Sequence, residues 1–132
     1  MADFITTLLT GVETILGESE ITLNQIEPYE GQLEDLDNFV IVPPALFTEV
    51  ELGSNKNENY LNIDSRLHFY LVTSHMKGTA ASSMYALLIK IIAEFHNVDV
   101  GAERLFFDGF ERLAIIPGFC AYRATFRFEH LE

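Results

Sequence analysis

Tryptophan is missing from this 132-residue chain, and cysteine occurs once, at Cys120. A lone cysteine excludes an intrachain disulfide and a cysteine-based metal cluster. Cys120 follows Pro117-Gly118-Phe119 at the head of an apolar stretch, with no His or Lys beside it to lower a thiol pKa. It therefore reads as a buried, inert thiol and not as a nucleophile. Cations are scarce as well: Lys and Arg total 8 against 20 Asp and Glu, for a net charge of −12. Nucleic-acid binding leaves a basic footprint, so this balance argues against a direct DNA-binding surface. No apolar run reaches the roughly 20 residues that cross a bilayer, which argues against a membrane partner. The first ten residues, M-A-D-F-I-T-T-L-L-T, lack the basic n-region of a signal peptide, and the expectation is a chain made and folded in a reducing cytosol.

What is present is apolar bulk. Hydrophobic residues make up 48%, with eleven Phe and five Tyr. The densest stretch is S-S-M-Y-A-L-L-I-K-I-I-A-E-F, from Ser82 to Phe95. Its only charges, Lys90 and Glu94, sit four apart on one side of a helix. Ser82 or Ser83 is the expected N-cap, and His96-Asn97 the expected end, with Asn97 in the left-handed conformation. A helix apolar on nearly all sides is expected to be covered on most of its surface, by other elements of the chain or by another subunit. So much apolar surface in one small domain, expected to span residues 1–132, also points to an oligomer.

Along the rest of the chain, Phe4, Leu8, Val12, Ile15 and Leu16 recur at helical spacing. A first helix is expected over Asp3–Gly17, with Asp3 as its N-cap. Ile21–Ile26 alternates as a short strand. Glu27 to Asp37 is rich in like charge and reads as a solvated loop. Asn38–Val42 and Ala45–Leu52 are strand-like on either side of Pro43-Pro44, a pair confined to edges and bulges. The Asn-rich stretch Gly53–Asp64 reads as a long loop. Arg66–Ser74 is a strand with apolar groups on both faces, hence central: Leu67, Phe69, Leu71 and Thr73 face one way, and His68, Tyr70, Val72 and Ser74 the other. After the apolar helix, Arg104–Phe107 and Phe110–Ile116 read as strands joined by an Asp108-Gly109 hairpin turn, and Pro117-Gly118 is the next turn. In the last strand, Phe119–Glu129, Tyr122, Ala124, Phe126 and Phe128 alternate with Arg123, Thr125, Arg127 and Glu129. The order predicts an α+β fold, a mostly antiparallel four- to five-stranded sheet packed against two helices.

Reactive signatures are absent. There is no phosphate-cradling glycine loop, no G-x-S-x-G elbow and no H-E-x-x-H helix. The expectation is no catalytic residue, no cofactor and no metal. Arg123 and Arg127 share a strand face in an acidic chain and are expected to pair with acids of the same or a neighbouring subunit.

Over nearly its whole length the layout resembles a known family. The residues that carry the likeness are N-F-V-I-V-P-P-A-L-F-T-E-V-E-L (Asn38–Leu52), a polar insertion, R-L-H-F-Y-L-V-T-S-H (Arg66–His75), the helix Y-A-L-L-I-K-I-I-A-E-F (Tyr85–Phe95) and the terminal strand Y-R-A-T-F-R-F (Tyr122–Phe128). They are similar to the Mu-like bacteriophage and prophage tail protein family, small proteins encoded just before the contractile tail sheath. The resemblance implies a tail terminator of the virion with a tail-terminator-like fold and no enzyme activity. It implies a homo-oligomeric ring, commonly a hexamer, that caps the tail tube and sheath, docks to the neck or connector and assembles in the bacterial host cytoplasm. DNA would pass through such a ring without specific binding, and an acidic lining would let phosphates slide. Glu27, Glu30, Glu34, Asp35, Asp37, Glu49, Glu51 and Glu58 are the candidate lumen or partner-contact acids. Arg123 and Arg127 are the candidates for intersubunit ion pairing. Two other readings stay open: a head–tail connector or neck protein, and a small-ligand-binding domain or enzyme using His68, Tyr70 and an acid in a pocket beneath the sheet.

Overall fold

The structure is a computed structural model, and it describes residues 4–19, 21, 23, 26–29, 44–53, 55–56, 61–74, 80–113 and 119–131. Their order is α1 (Phe4–Glu18), β1 (Ile26–Pro28), β2 (Ala45–Glu51), β3 (Asn55–Lys56), β4 (Leu61–Ser74), α2 (Ala80–Phe95), β5 (Val98–Val100), β6 (Glu103–Leu113) and β7 (Phe119–Leu131). The class is α+β with two helices, as the sequence order implies. The sheet is larger than expected. Six strands run in the order β1-β2-β4-β7-β6-β5, and β3 pairs with β4 off that path. It is also mixed, because β1 pairs parallel to β2.

The long antiparallel ladder between β4 and β7, from Asn62↔Leu131 to Ser74↔Phe119, forms the centre. Period-2 alternation sends the odd residues of β4 and the even residues of β7 to one face. There Leu67, Phe69, Leu71, Ala124, Phe126 and Phe128 meet Leu8, Val12 and Leu16 of α1 and Met84, Leu88, Ile91 and Phe95 of α2. Phe95 sits among aromatics, with its ring centroid 4.9 Å from Phe69 and 6.2 Å from Phe126. Each large side chain buried in this way contributes about 1.5–3 kcal/mol. On the opposite face a smaller cluster of Ala45, Phe47, Tyr70, Val72 and Ala121 is packed by Tyr29, Leu113 and Phe119. Arg66–Ser74 is central, as its two apolar faces require.

Helix α2 ends where expected. Asn97 adopts φ +57°, and the His96 N–H donates to the Ile92 carbonyl at 2.9 Å. Its start differs, since Ser82 and Ser83 lie inside the helix, which begins at Ala80. Nor is it covered on both sides: Tyr85 and Ile89 are exposed.

Several strands depart from the expectation. Asp108-Gly109 is not a hairpin turn, because β6 runs on through it. The register passes from Phe107↔Phe126 to Phe110↔Ala124, so Asp108 and Gly109 together oppose Thr125 in a β-bulge. Gly109, at φ +119°, supplies a backbone conformation that L side chains rarely adopt. The hairpin is one element earlier, where Gly101 at φ +61° helps to join β5 to β6. The expected loop Gly53–Asp64 contributes β3 and the first residues of β4, because β7 extends to Leu131 and offers them a ladder. Of the described residues in the expected strand Ile21–Ile26, Ile26 joins the sheet, whereas Ile21 and Leu23 pack half-buried against the core. Glu27 and Pro28, read as loop, belong to β1. The expected strand Asn38–Val42, the turn Pro117-Gly118 and the N-cap Asp3 lie outside the described residues.

Helix α1 packs on the β5–β6 turn through a glycine. A Cβ at Gly11 would meet Val100 Cγ1 at 2.9 Å and the Gly101 nitrogen at 3.0 Å, whereas one at Gly17 would meet nothing within 4 Å. Gly11→Ala is expected to destabilise the fold by about 1–3 kcal/mol through overpacking. Gly17→Ala is expected to be neutral or to stabilise it by up to about 1 kcal/mol, as an exposed helical glycine replaced by alanine. Urea unfolding of the two variants beside the parent checks both signs.

Candidate functional site

The face of the sheet opposite the helices turns polar toward one end. Register places Glu49 and Thr125 on either side of His68, and Glu51 and Arg127 on either side of Arg66. Tyr70 stands opposite Arg123, and Arg123 opposite Glu111 of β6. The bulge adds Asp108, whose Oδ2 lies 3.4 Å from Arg66 Nε. Of these, Glu51, Arg66, His68, Asp108, Glu111, Arg123 and Thr125 line a shallow groove of about 370 Å³, together with Gly109 and Phe110 of the bulge.

Most of these groups pair with one another, but Arg123 Nε is buried without a hydrogen-bond partner. His68 Nδ1 and Thr125 Oγ1 share a hydrogen bond of 2.9 Å. His68 Nε2 is 3.7 Å from Glu51 Oε2. The Tyr70 hydroxyl donates to Glu49 Oε1 at 2.9 Å, and Arg123 Nη2 donates to Glu111 Oε1. Burial, reinforced by Arg123, pulls the His68 pKa below its ordinary value against the opposite pull of Glu51 and Glu49. The imidazole is therefore neutral at pH 7. Burial and the hydrogen bond to Glu49 push Tyr70 up to about 12. Burial disfavours the Arg123 cation, but Tyr70 and Glu111 outweigh it and raise its pKa.

The order Glu51–His68–Thr125 superficially follows the acid–base–hydroxyl order of a hydrolytic triad. The acid is beyond hydrogen-bond reach at 3.7 Å. Helices α1 and α2 pack on the other face, so among the described residues no helix N-terminus points donors at a developing oxyanion here. Among the described residues, no group of three or more His, Cys, Asp or Glu could hold a metal ion. Cys120 is buried.

The candidate acids do not gather at one place. Glu51 stands on β2 at the groove, Glu49 lies on the same strand bonded to Tyr70, and Glu27 is exposed on β1. Glu30, Glu34, Asp35, Asp37 and Glu58 lie outside the described residues. Arg123 pairs with Glu111 of its own chain, and the Arg127 guanidinium lies 5.6 Å from the Phe106 ring centroid. Alternation alone places His68 and Tyr70 on one face. Arg66, two residues before His68, falls on that face by the same alternation. Alternation misses Asp108 and Glu111, because their approach depends on the β6 register, which the bulge displaces by one residue.

No family model and no curated protein matches the chain. Among solved structures it is similar to a chain of the virion of a native gene transfer agent particle, at 8% sequence identity and a TM-score of 0.71, over 100% of both chains. At that identity the likeness shows a shared fold.

The depressed His68 pKa has a signed consequence. Below the ordinary histidine value of 6.5 the unfolded chain takes up a proton that the folded imidazole resists, so stability falls as pH drops from 6.5 toward the folded pKa. His68→Gln, which leaves a hydrogen-bonding partner for Thr125, is expected to flatten that part of the stability–pH curve. Tyr70 acts at the alkaline end, where stability falls as pH rises from 10 to about 12. Urea midpoints across pH for the parent, His68→Gln and Tyr70→Phe check both limbs.

Proposed function

We propose that this chain is a non-enzymatic structural protein of a virion. More specifically, we read it as a tail terminator that caps the tube and sheath of a contractile tail as a ring and docks to the neck. The observation that carries the reading is the end-to-end likeness of fold to a virion chain, with all of both chains covered. The sequence resemblance to the tail protein family supports it independently. So does the groove, where Arg123 is paired with Glu111 and Arg66 lies against Asp108 of the same chain. A subunit with exposed apolar side chains on α2 and β6 also suits a component built to contact other proteins. In this reading the chain binds copies of itself, the tube and sheath proteins and the neck, while DNA passes through without specific contacts.

Deletion of the gene in a particle-producing strain, read by electron microscopy, tests the assignment. A cap stops subunit addition, so its loss is expected to leave tails of widely scattered length without heads. Tails of normal length that fail to attach to heads would shift the role to a head–tail connector. Complete, infective particles lacking the protein would overturn the virion reading. The Glu51–His68–Thr125 order favours the small-ligand alternative. A thermal shift of several degrees with a metabolite, abolished in His68→Gln, would support that alternative.

A further inference from the structure

The described surface exposes five large apolar side chains: Leu52 at 52%, Tyr85 at 48%, Ile89 at 42%, Phe110 at 41% and Phe106 at 37%. Phe106 carries the Arg127 guanidinium against its ring. Three of the others converge. Tyr85 and Ile89 lie one helical turn apart on α2, and the Tyr85 ring is 6.1 Å from that of Phe110. Phe110 is there because of the bulge. With unbroken alternation from Phe106 it would face the groove, but the extra residue turns it to the helix face beside Tyr85. Exposed Arg112 follows on the same face, paired in register with Tyr122. The fourth, Leu52, sits at the other side of the sheet, just past the end of β2.

The two edges differ in charge. β1 and β2 carry Glu27, Glu49 and Glu51 and no Lys or Arg. β6 and β7 carry four arginines balanced by Glu103, Asp108, Glu111 and Glu129. Arg104 and Arg123 pair with Asp99 and Glu111, and exposed Arg112 stands at the rim of the patch. Among the described residues no strand pairs with β6 beyond Leu105 on its outer side. The bulge leaves only a short regular edge after Asp108-Gly109, so a contact here is made mainly by side chains.

We infer that the Tyr85–Ile89–Phe110 patch, with Arg112 at its rim, receives the β1–β2 edge of a second copy of this chain. Leu52 of that copy meets the aromatic patch, and its acids meet the arginine. The occupant is a second copy because the two edges complement each other in apolar surface and in charge while lying at opposite ends of one strand order. Such a contact is heterologous: each copy offers one patch and one edge, and repetition closes a ring or extends a filament. The inference deepens the ring reading above and rests on it for the choice of partner. It does not depend on which virion the ring belongs to.

Light scattering of the purified full chain over a concentration series tests it, together with two surface variants. Leu52→Asp removes one side of the contact and Phe110→Asp the other; Ile89→Asp stands in if Phe110→Asp fails to fold. The parent is expected to form species larger than a dimer, and each variant alone to stay monomeric. An equimolar mixture of the two variants is expected to give dimers and nothing larger, because one intact patch and one intact edge remain. Three results would overturn the inference: a parent that stays monomeric to its highest soluble concentration, a Leu52→Asp variant that still dimerises through two intact patches, or rings that persist in Phe110→Asp. The last would leave the ring reading standing with its contact elsewhere, whereas failure of the virion reading shows only in particles.

Discussion

The ladder between β4 and β7 is the constraint on which the rest depends. It fixes Asn62 opposite Leu131 and Ser74 opposite Phe119, with every position between in register. Because side chains alternate with a period of two, that single register decides the content of both faces at once. A slip of one residue would bring His68, Tyr70, Arg123 and Thr125 under the helices and carry Phe69 and Phe126 into water. The cost of stranding those aromatics and of burying polar groups without partners is what holds the register. The core and the polar groove are therefore two results of one alignment.

The bulge at Asp108-Gly109 is the one place where β6 leaves that alignment. It brings Asp108 to Arg66 on the groove face and turns Phe110 toward Tyr85 on the helix face. A single inserted residue thus adds an ion pair to one side of the sheet and an exposed aromatic to the other. The same device blunts the outer edge of β6, where a regular strand would otherwise invite indiscriminate pairing. What remains at that edge is a surface recognised by shape and side-chain chemistry.

The α+β class and both helices were legible in the sequence because their signals are long. Phe4, Leu8, Val12 and Leu16 repeat over four turns, and β7 alternates over its whole length. The end of α2 at Asn97 was legible because few residues accept a left-handed backbone. The strand count was not legible. β1 and β5 are three residues each, too short for any period to show, and Leu61–Asp64 looks like loop until β7 is known to reach beside it. Asp108-Gly109 misled for a physical reason: the residues that favour a tight turn are the residues that tolerate a bulge. The groove was half legible. Alternation put His68 and Tyr70 together, but the groups from β6 come from a register that sequence does not encode locally.

The remaining tension is between an apolar patch and a net charge of −12. Copies of such a chain repel at long range, although at physiological salt the repulsion fades beyond about 8 Å. A fully buried aromatic hides roughly 150–250 Å². Three half-exposed side chains thus offer only a few hundred Å², below the roughly 800 Å² per partner of a standard interface. One such contact is weak by itself. In a closed ring each copy is held by two neighbours, and on a template the effective concentration of the next copy rises steeply. The same balance makes association steeply dependent on concentration. Free subunits assemble as their concentration rises, and assemble more readily where a partner surface gathers them.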